Sequence, residues 1–181
     1  MSSAWPRSNG AAVASVLPEG AIVVDEAVTA AAPILAATAG APPHDWLTLT
    51  GGAIGQGLPV ATGAAVACPD RPVLSLEGDG SAMYTIQSLW TQAREGLDVT
   101  TLILANRSYA ILDFELSRVG ADAAGPAARG LLEIGRPDLG FVAIAEGMGV
   151  PARQVTDGPA LSAALREALA EPGPHLIEAV L

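Results

Sequence analysis

The fold is decided by residues 72–112, which read PVLSLEGDGSAMYTIQSLWTQAREGLDVTTLILANRSYAIL. This stretch begins with an apolar run at 72–76, continues through a helix-like segment at 82–95 and ends with a second apolar run at 100–105. Near-continuous apolar runs are typical of parallel strands that are covered on both faces. Gly96 follows the helix-like segment, at a position where helices commonly end. The stretch therefore predicts a strand, a helix and a second, parallel strand.

The same alternation extends toward both ends of the chain. Further strands are predicted at residues 21–25, 46–50 and 175–180, and further helices at 28–38, 58–67, 141–148 and 159–170. This order predicts an α/β fold: a doubly wound, mainly parallel sheet with helices on both faces. The length of 181 residues suits a single domain, 1–181. Residues 117–137 show no clear periodicity and are predicted to form a mobile or partner-dependent loop.

The bulk composition excludes several classes of protein. Hydrophobic residues make up 50% of the chain, a share too high for a disordered protein. The net charge of −10 argues against a nucleic-acid-binding protein, which needs a basic face. The single cysteine, Cys68, cannot form an internal disulfide, and no apolar stretch reaches the about 18 residues of a membrane span. We therefore expect a cytoplasmic protein that binds neither nucleic acid nor a membrane.

Four loops that follow predicted strands have unusual sequences. They lie at residues 25–29, 51–57, 78–81 and 106–111. In a doubly wound sheet, ligands bind beyond the carboxyl ends of the strands, where loops enter helices. The clustering of these loops at one edge of the sheet therefore predicts a binding site.

The loop at residues 78–81, Gly-Asp-Gly-Ser, has the chemistry of a phosphate and metal site. Its glycines allow a sharp turn and a close approach to a ligand. The amides of Gly80 and Ser81 at a helix start suit a phosphate group. Asp79 adds a hard oxygen ligand of the kind that Mg²⁺ requires. Taken alone, however, the same loop is more often a tight turn in which Asp or Ser caps a helix.

Asn106 is a possible second ligand for a metal ion bound by Asp79. The separation of 106 − 79 = 27 residues is long enough for one helix and one returning strand. The two side chains would then lie at the ends of adjacent strands and could share a metal ion. A lone Asn after a strand is usually only a turn former. Together, the two residues predict a metal site.

Three stretches of the chain resemble one known family. Residues 78–112 resemble the signature of enzymes that use thiamine diphosphate (thiamine pyrophosphate), which begins with GDG and ends with Asn. Residues 51–65, GGAIGQGLPVATGAA, resemble the loop and helix before that signature in acetolactate synthase-like and benzoylformate decarboxylase-like enzymes. Residues 23–29, VVDEAVT, resemble their first strand and loop. The likeness extends from Asn9 to Leu181 and implies the C-terminal diphosphate-binding domain, with the thiamine diphosphate-binding fold.

The resemblance implies a role for each matching residue. Asp79, Asn106 and the Ser108 carbonyl would bind Mg²⁺. Gly52 and Ile54 would serve the catalytic end: the Gly52 carbonyl accepts a hydrogen bond from the aminopyrimidine, and Ile54 keeps the cofactor bent. The full set of implied cofactor contacts is Val28, Thr29, Gly52, Ile54, Gly78, Gly80, Ser81, Tyr84, Tyr109 and Ala110.

Two features depart from the family pattern. The family usually has two consecutive asparagines, whereas Arg107 follows Asn106 here; we expect metal binding to survive. The family also activates the cofactor with a glutamate from a pyrimidine-binding domain of a neighbouring subunit, and no part of this sequence resembles that domain. The resemblance therefore implies half of a 2-keto acid decarboxylase or carboligase that is inactive alone. A hetero-oligomer, a dimer of heterodimers or larger, is expected, and a split enzyme is slightly favoured over an excised domain.

Two alternatives remain open from the sequence. Residues 55–60, GQGLPV, resemble a dinucleotide fingerprint with Val60 in place of its last glycine, which would indicate a nicotinamide-binding oxidoreductase. A non-catalytic binding or regulatory subunit of the same fold is the other alternative. Asp25 and Glu26 are interpreted as structural acids that hold the phosphate loop. Residues 111–119 are the only part expected to contribute to a substrate pocket, and the sequence does not identify which 2-keto acid binds.

Overall fold

A single parallel sheet organises the protein. The computed structural model describes residues 5–121, with side chains from residue 9, and residues 125–181. Six strands form the sheet in the order β2-β1-β3-β4-β6-β5, and every pair of neighbours is parallel. The strands are β1 (Ile22–Glu26), β2 (Asp45–Thr48), β3 (Val73–Gly78), β4 (Val99–Ala105), β5 (Ala152–Val155) and β6 (His175–Val180).

Helices connect the strands and cover both faces of the sheet. They are α1 (Trp5–Ala14), α2 (Ala31–Thr38), α3 (Gly57–Ala67), α4 (Asp79–Thr85), α5 (Ser88–Glu95), α6 (Ala110–Arg118), α7 (Pro126–Leu132), α8 (Phe141–Gly147) and α9 (Gly158–Ala170), with a 3-10 turn at Val28–Ala30. Within the described ranges, no helix has the length and apolar character needed to cross a membrane.

Alternate residues of each central strand enter two separate cores. On β1, Val23 packs into a core that also includes residues of α1, α2 and α9. Its neighbours Ile22 and Val24 face the opposite side, where they pack with residues of α3. Every residue of β1 and β4 is buried, as expected for strands that are covered on both faces. The doubly wound α/β fold predicted from the sequence is confirmed.

Several elements differ from the sequence prediction. The predicted helix at 82–95 is interrupted, because α4 ends at Thr85 and α5 begins at Ser88. The predicted loop at 117–137 contains α7, although its residues 122–124 lie outside the described part of the chain. Neither α6 nor α7 has a buried residue among those described. Helix α1 and the half-exposed edge strand β5 were not predicted either.

The order of the strands determines where a ligand can bind. From β1 the chain moves to β2 on one side and then returns to β3 on the other side. The loops after β1 and β3 therefore diverge, and a crevice opens between them at the carboxyl edge of the sheet. Ligands bind at such a switch point in doubly wound folds.

Candidate functional site

A small cleft lies at the switch point between β1 and β3. It brings together residues from the loops after β1, β3 and β4 and from the loop before α3. The lining residues are Ala27, Val28, Thr29, Ala30, Ile54, Gly78, Asp79, Gly80, Ser81, Leu104, Asn106, Ser108, Tyr109, Ala110 and Ile111. Sequence reasoning placed Ala27 and Ile111 in candidate loops but missed Ala30 and Leu104, because small or apolar side chains carry no chemical signal.

The cleft is not the largest cavity of the protein. It holds about 60 Å³, whereas a cavity of about 300 Å³ lies at the amino edge of the sheet, among residues 69–73 and 168–173. The chemistry of the linings decides which of the two is the candidate site. Only the smaller cleft combines a buried carboxylate, a carboxamide and glycine-containing turns at the carboxyl ends of strands.

Asp79 is the buried acid of the cleft. Its side chain is 3% exposed and follows the last residue of β3. Oδ1 accepts a hydrogen bond from the Gly80 amide (2.9 Å), and Oδ2 accepts one from the Arg107 amide (2.5 Å). Burial raises the pKa of Asp79, and these backbone hydrogen bonds oppose the rise. Each carboxylate oxygen keeps a further lone pair that can bind a cation.

Asn106 and Ser108 line the cleft from the loop that follows β4. Asn106 directly follows β4, which pairs with β3, so its side chain and that of Asp79 start from neighbouring strand ends. Its Oδ1 accepts a hydrogen bond from the Ser108 amide (2.8 Å). Ser108 in turn forms an antiparallel bridge with Glu133. The structure thus brings all three predicted metal ligands to one cleft.

Arg107 occupies the position where the family usually has a second asparagine. Its φ angle of 59° lies in the left-handed region, where Asn and Gly are favoured. The side chain turns away from the cleft, and Nε contacts Asp138 Oδ1 at 2.8 Å. The same side chain lowers the pKa of Glu178, although burial of Glu178 is the larger effect and raises it overall. The substitution therefore leaves the backbone contact between residue 107 and Asp79 in place.

The turn after β3 approaches Tyr109 closely. A Cβ atom added to Gly80 would lie 2.5 Å from Tyr109 Cε1, so only glycine fits between the turn and that ring. The Ser81 hydroxyl donates to the carbonyl oxygens of Glu26 (3.0 Å) and Gly78 (3.1 Å). The Ser81 hydroxyl thus stabilises the turn. The backbone amide of Ser81 is then the donor that this residue can offer to a ligand.

The remaining predicted site residues fall into two groups. Val28, Thr29, Ile54 and Ala110 line the cleft, and their contact with a cofactor stays a prediction. Gly52 and Tyr84 do not line it: Gly52 lies in an exposed turn, and Tyr84 is 58% exposed, next to Gly55. Whether these two contact a cofactor stays a prediction.

Two buried glutamates lie beside the cleft. Glu26 and Glu77 are 1% and 0% exposed and face each other across β1 and β3 in register. Burial raises the pKa of Glu77 well above its ordinary value, and the neighbouring Glu26 charge raises it further. Glu26 accepts hydrogen bonds from the amides of Gly55, Gln56 and Gly57. Sequence reasoning assigned Glu26 to the phosphate loop, but the structure shows it holding the loop before α3; only Asp25 contacts its own loop, through the Ala27 amide (3.0 Å).

The Glu26 contacts count against a dinucleotide site at residues 55–60. A dinucleotide fingerprint binds pyrophosphate through backbone amides at a helix start. Here a buried carboxylate already occupies the position in front of those amides. A second anion there would meet electrostatic repulsion.

Comparison with known proteins shows the family of the chain. Residues 30–179 match the family described as thiamine pyrophosphate enzyme, C-terminal TPP binding domain. A Mycobacterium tuberculosis protein provisionally named acetolactate synthase large subunit IlvX is 65% identical over 170 residues, 93% of this chain and 33% of that protein. Benzoylformate decarboxylase of Pseudomonas aeruginosa is 34% identical over 165 residues, 91% of this chain and 30% of that protein.

The fold also matches solved structures. A thiamine diphosphate-dependent 4-hydroxybenzoylformate decarboxylase from Rhodococcus jostii RHA1 superposes with a TM-score of 0.83 and 32% identity. The match covers 98% of this chain and 33% of that structure. The chain thus spans about a third of the length of the relatives that it matches most fully.

Proposed function

Since this chain belongs to the thiamine pyrophosphate enzyme family, as its C-terminal TPP-binding domain, we propose that it holds thiamine diphosphate through Mg²⁺. In this proposal the protein is a component of a 2-keto acid decarboxylase or carboligase of the acetolactate synthase-like type. One observation carries it: the Asp79 carboxylate and the Asn106 carboxamide lie at the ends of adjacent strands and line the same cleft.

The donor atoms at the cleft fit Mg²⁺ better than a softer metal. Asp79, Asn106 and the Ser108 carbonyl offer only hard oxygen atoms. Among the described residues, no group of three His, Cys, Asp or Glu side chains could hold a metal ion without other ligands. A site with one carboxylate, one amide and one carbonyl leaves positions for diphosphate oxygens and water, which Mg²⁺ usually retains.

The chain's own residues would bind and orient the cofactor. Thiamine diphosphate, when bound, supplies the electron sink that 2-keto acid decarboxylation needs. The Gly80 amide donates to Asp79 Oδ1, so the Ser81 amide is the one that can donate to a diphosphate oxygen. Ile54 also lines the cleft and would exclude water from the organic part of the cofactor.

The reactive end of the cofactor requires protein from outside these residues. Ligand pockets usually enclose about 300–1,000 Å³, whereas this cleft holds about 60 Å³. Helix α6 beside it has no buried residue, and Leu112 and Phe114 are 48% and 60% exposed. We propose that a pyrimidine-binding domain covers this side, supplies the activating glutamate and forms a hetero-oligomer with the chain. We also place the complex in the cytoplasm, where a free thiol such as Cys68 persists.

Two measurements test the proposal. Titration of the purified chain with thiamine diphosphate should show binding that requires Mg²⁺, whereas NADH should not bind. Turnover of a 2-keto acid such as pyruvate should be negligible without a pyrimidine-binding partner and appear when one is added. Substantial turnover by the chain alone would contradict the partner requirement. Cofactor binding without turnover in any complex would instead favour a non-catalytic subunit.

A further inference from the structure

The start of helix α3 is held by an acid from the neighbouring strand. Glu26 is the last residue of β1, and its side chain is 1% exposed. Its Oε1 accepts hydrogen bonds from the amides of Gly55 and Gln56, the latter at 3.3 Å, and its Oε2 accepts one from Gly57. No side chain at the N-cap of α3 makes a capping hydrogen bond. Glu26 therefore satisfies amides that a helix start otherwise leaves unpaired.

The sequence around Glu26 is adapted to this contact. A Cβ atom added to Gly57 would lie 2.5 Å from Glu26 Oε2 and 2.8 Å from Glu26 Cβ. The φ angle of Gly57 is not positive, so its glycine is required for space and not for backbone conformation. Glu77 also borders this position and accepts a hydrogen bond from the Ser75 hydroxyl at 2.8 Å. The carboxylate and the backbone of α3 thus fit together without room for any side chain.

The segment anchored by Glu26 forms one wall of the cleft. The Gln56 side chain donates to the carbonyl oxygens of Thr50 (3.0 Å) and Ala53 (2.6 Å), so residues 50–56 form one compact loop. Residues 50–53 of this loop are exposed, while Ile54 lines the cleft. The hydrogen bonds accepted by Glu26 join this loop to the sheet.

We propose that Glu26 is a positioning residue that fixes Ile54 against the organic part of the cofactor. Asp79 and Asn106 line the same cleft as Ile54 and would hold the diphosphate. In this proposal two acids hold the two ends of the cofactor: Glu26 acts through Ile54 on the organic part, and Asp79 acts through Mg²⁺ on the diphosphate. This inference rests on the proposed binding of thiamine diphosphate.

The substitution Glu26→Gln tests this role. Gln has a similar shape but replaces one acceptor oxygen by an NH₂ group, which would face a backbone amide donor. In the full chain, hydrogen exchange at the amides of Gly55, Gln56 and Gly57 should become about 10- to 100-fold faster, because charge-assisted hydrogen bonds are lost. Affinity for thiamine diphosphate with Mg²⁺ should fall about tenfold in calorimetric titrations. Affinity for inorganic pyrophosphate with Mg²⁺ should stay within about twofold, because pyrophosphate lacks the part that Ile54 contacts.

Two further variants keep the test interpretable. Asp25→Asn removes the charge of the adjacent acid of β1, whose carboxylate accepts a hydrogen bond from the Ala27 amide. It should leave exchange at residues 55–57 unchanged. Glu26→Asp keeps the charge but shortens the side chain, and it should give a smaller effect in the same direction. It replaces Glu26→Gln in the comparison if the glutamine variant fails to fold by circular dichroism.

The possible results separate the inference from the proposed function. Unchanged exchange at residues 55–57 together with unchanged thiamine diphosphate affinity in the Glu26 variant would overturn the inference alone. Equal losses for thiamine diphosphate and pyrophosphate would also overturn it, since they indicate a general structural defect. If the wild-type chain binds pyrophosphate but not thiamine diphosphate, the proposed function fails, and the positioning of a cofactor fails with it.

Discussion

The two walls of the cleft differ in how completely this chain builds them. On the β3 side, Asp79 is 3% exposed and accepts two backbone hydrogen bonds, and the strand behind it is buried on both faces. On the α6 side, no residue of the helix is buried, and Phe114 is 60% exposed. The difference indicates that the chain itself completes the β3 side, where we propose that the diphosphate binds. On the α6 side, no described residue of the chain covers the helix.

The largest expected effect on cofactor affinity comes from removing Asp79, the acid on the β3 side of the cleft. Asp79→Ala should lower Mg²⁺-dependent affinity for thiamine diphosphate by at least about 100-fold, since the only carboxylate of the proposed metal site is lost. Isothermal titration calorimetry measures the effect. Asp70→Ala, an exposed acid at the other edge of the sheet, is the matched control and should bind as the wild type does. Retained binding by the Asp79 variant would show that the metal ligands are wrongly assigned.

The proposal that a partner covers the α6 side of the cleft can be tested by adding a charge to α6. Phe114→Asp should leave the free energy of unfolding of the isolated chain within about 0.5 kcal/mol, because the side chain is already exposed. Association with a pyrimidine-binding partner should weaken by about 30-fold, as expected for loss of an aromatic contact at an interface. Sedimentation or calorimetry measures this association. Val66→Asp, on α3 and 62% exposed, provides the control. Equal weakening by both variants would remove the special role of α6.

Glu77, the buried acid on β3, should make the free energy of unfolding depend on pH. Because burial and the Glu26 charge raise the pKa of Glu77 above 4.5, the folded chain keeps this proton when the unfolded chain has lost it. The stabilising effect is complete below that value and is lost as the pH rises through the raised pKa. Urea unfolding of the metal-free protein from about pH 5 to about pH 8 should therefore show Glu77→Gln gaining about 1 kcal/mol relative to the wild type. Glu19→Gln, at an exposed position, should run parallel to the wild type.

The smallest expected effect concerns the loop after β1. Val28 has a φ angle of 50°, a conformation that a β-branched residue rarely adopts. Val28→Gly should relieve this strain and, after the entropy cost of glycine in the unfolded chain, raise the free energy of unfolding by about 0.5–1 kcal/mol. Thermal and urea unfolding of the cofactor-free chain provide the measurement. Val66→Gly, in the ordinary backbone of α3, should instead destabilise by about 0.5 kcal/mol. Destabilisation by both changes would mean that Val28 is not strained.

How far the sequence predicted the structure depended on burial. The central strands carry apolar runs because both their faces are covered, and β1, β3, β4 and β6 were all predicted close to their observed bounds. Helices α6 and α7 were not predicted, and none of their described residues is buried. The proximity of Asp79 and Asn106 could be predicted because strand ends bring residues 27 positions apart in sequence to one edge.

The contacts of Glu26 show what sequence reasoning could not reach. Its hydrogen bonds to Gly55, Gln56 and Gly57 span 29 to 31 residues and depend on the height of α3 above the sheet. No local pattern encodes that height. The glycines at 55 and 57 mark the place of this contact in the sequence. Their spacing resembles a dinucleotide fingerprint, however, and so indicated a nicotinamide-binding site instead.

The position of β6 has a consequence for how the protein is made. Although β6 comes after β5 in the chain, it lies between β4 and β5 and pairs with both. While a ribosome synthesises the protein, β5 emerges with no neighbour to pair with, and the outer edge of β4 stays open. At about 5–20 residues per second, residues 152–180 take a few seconds to appear. During that interval the open edge of β4 is available to chaperones, or to the same edge of another nascent chain.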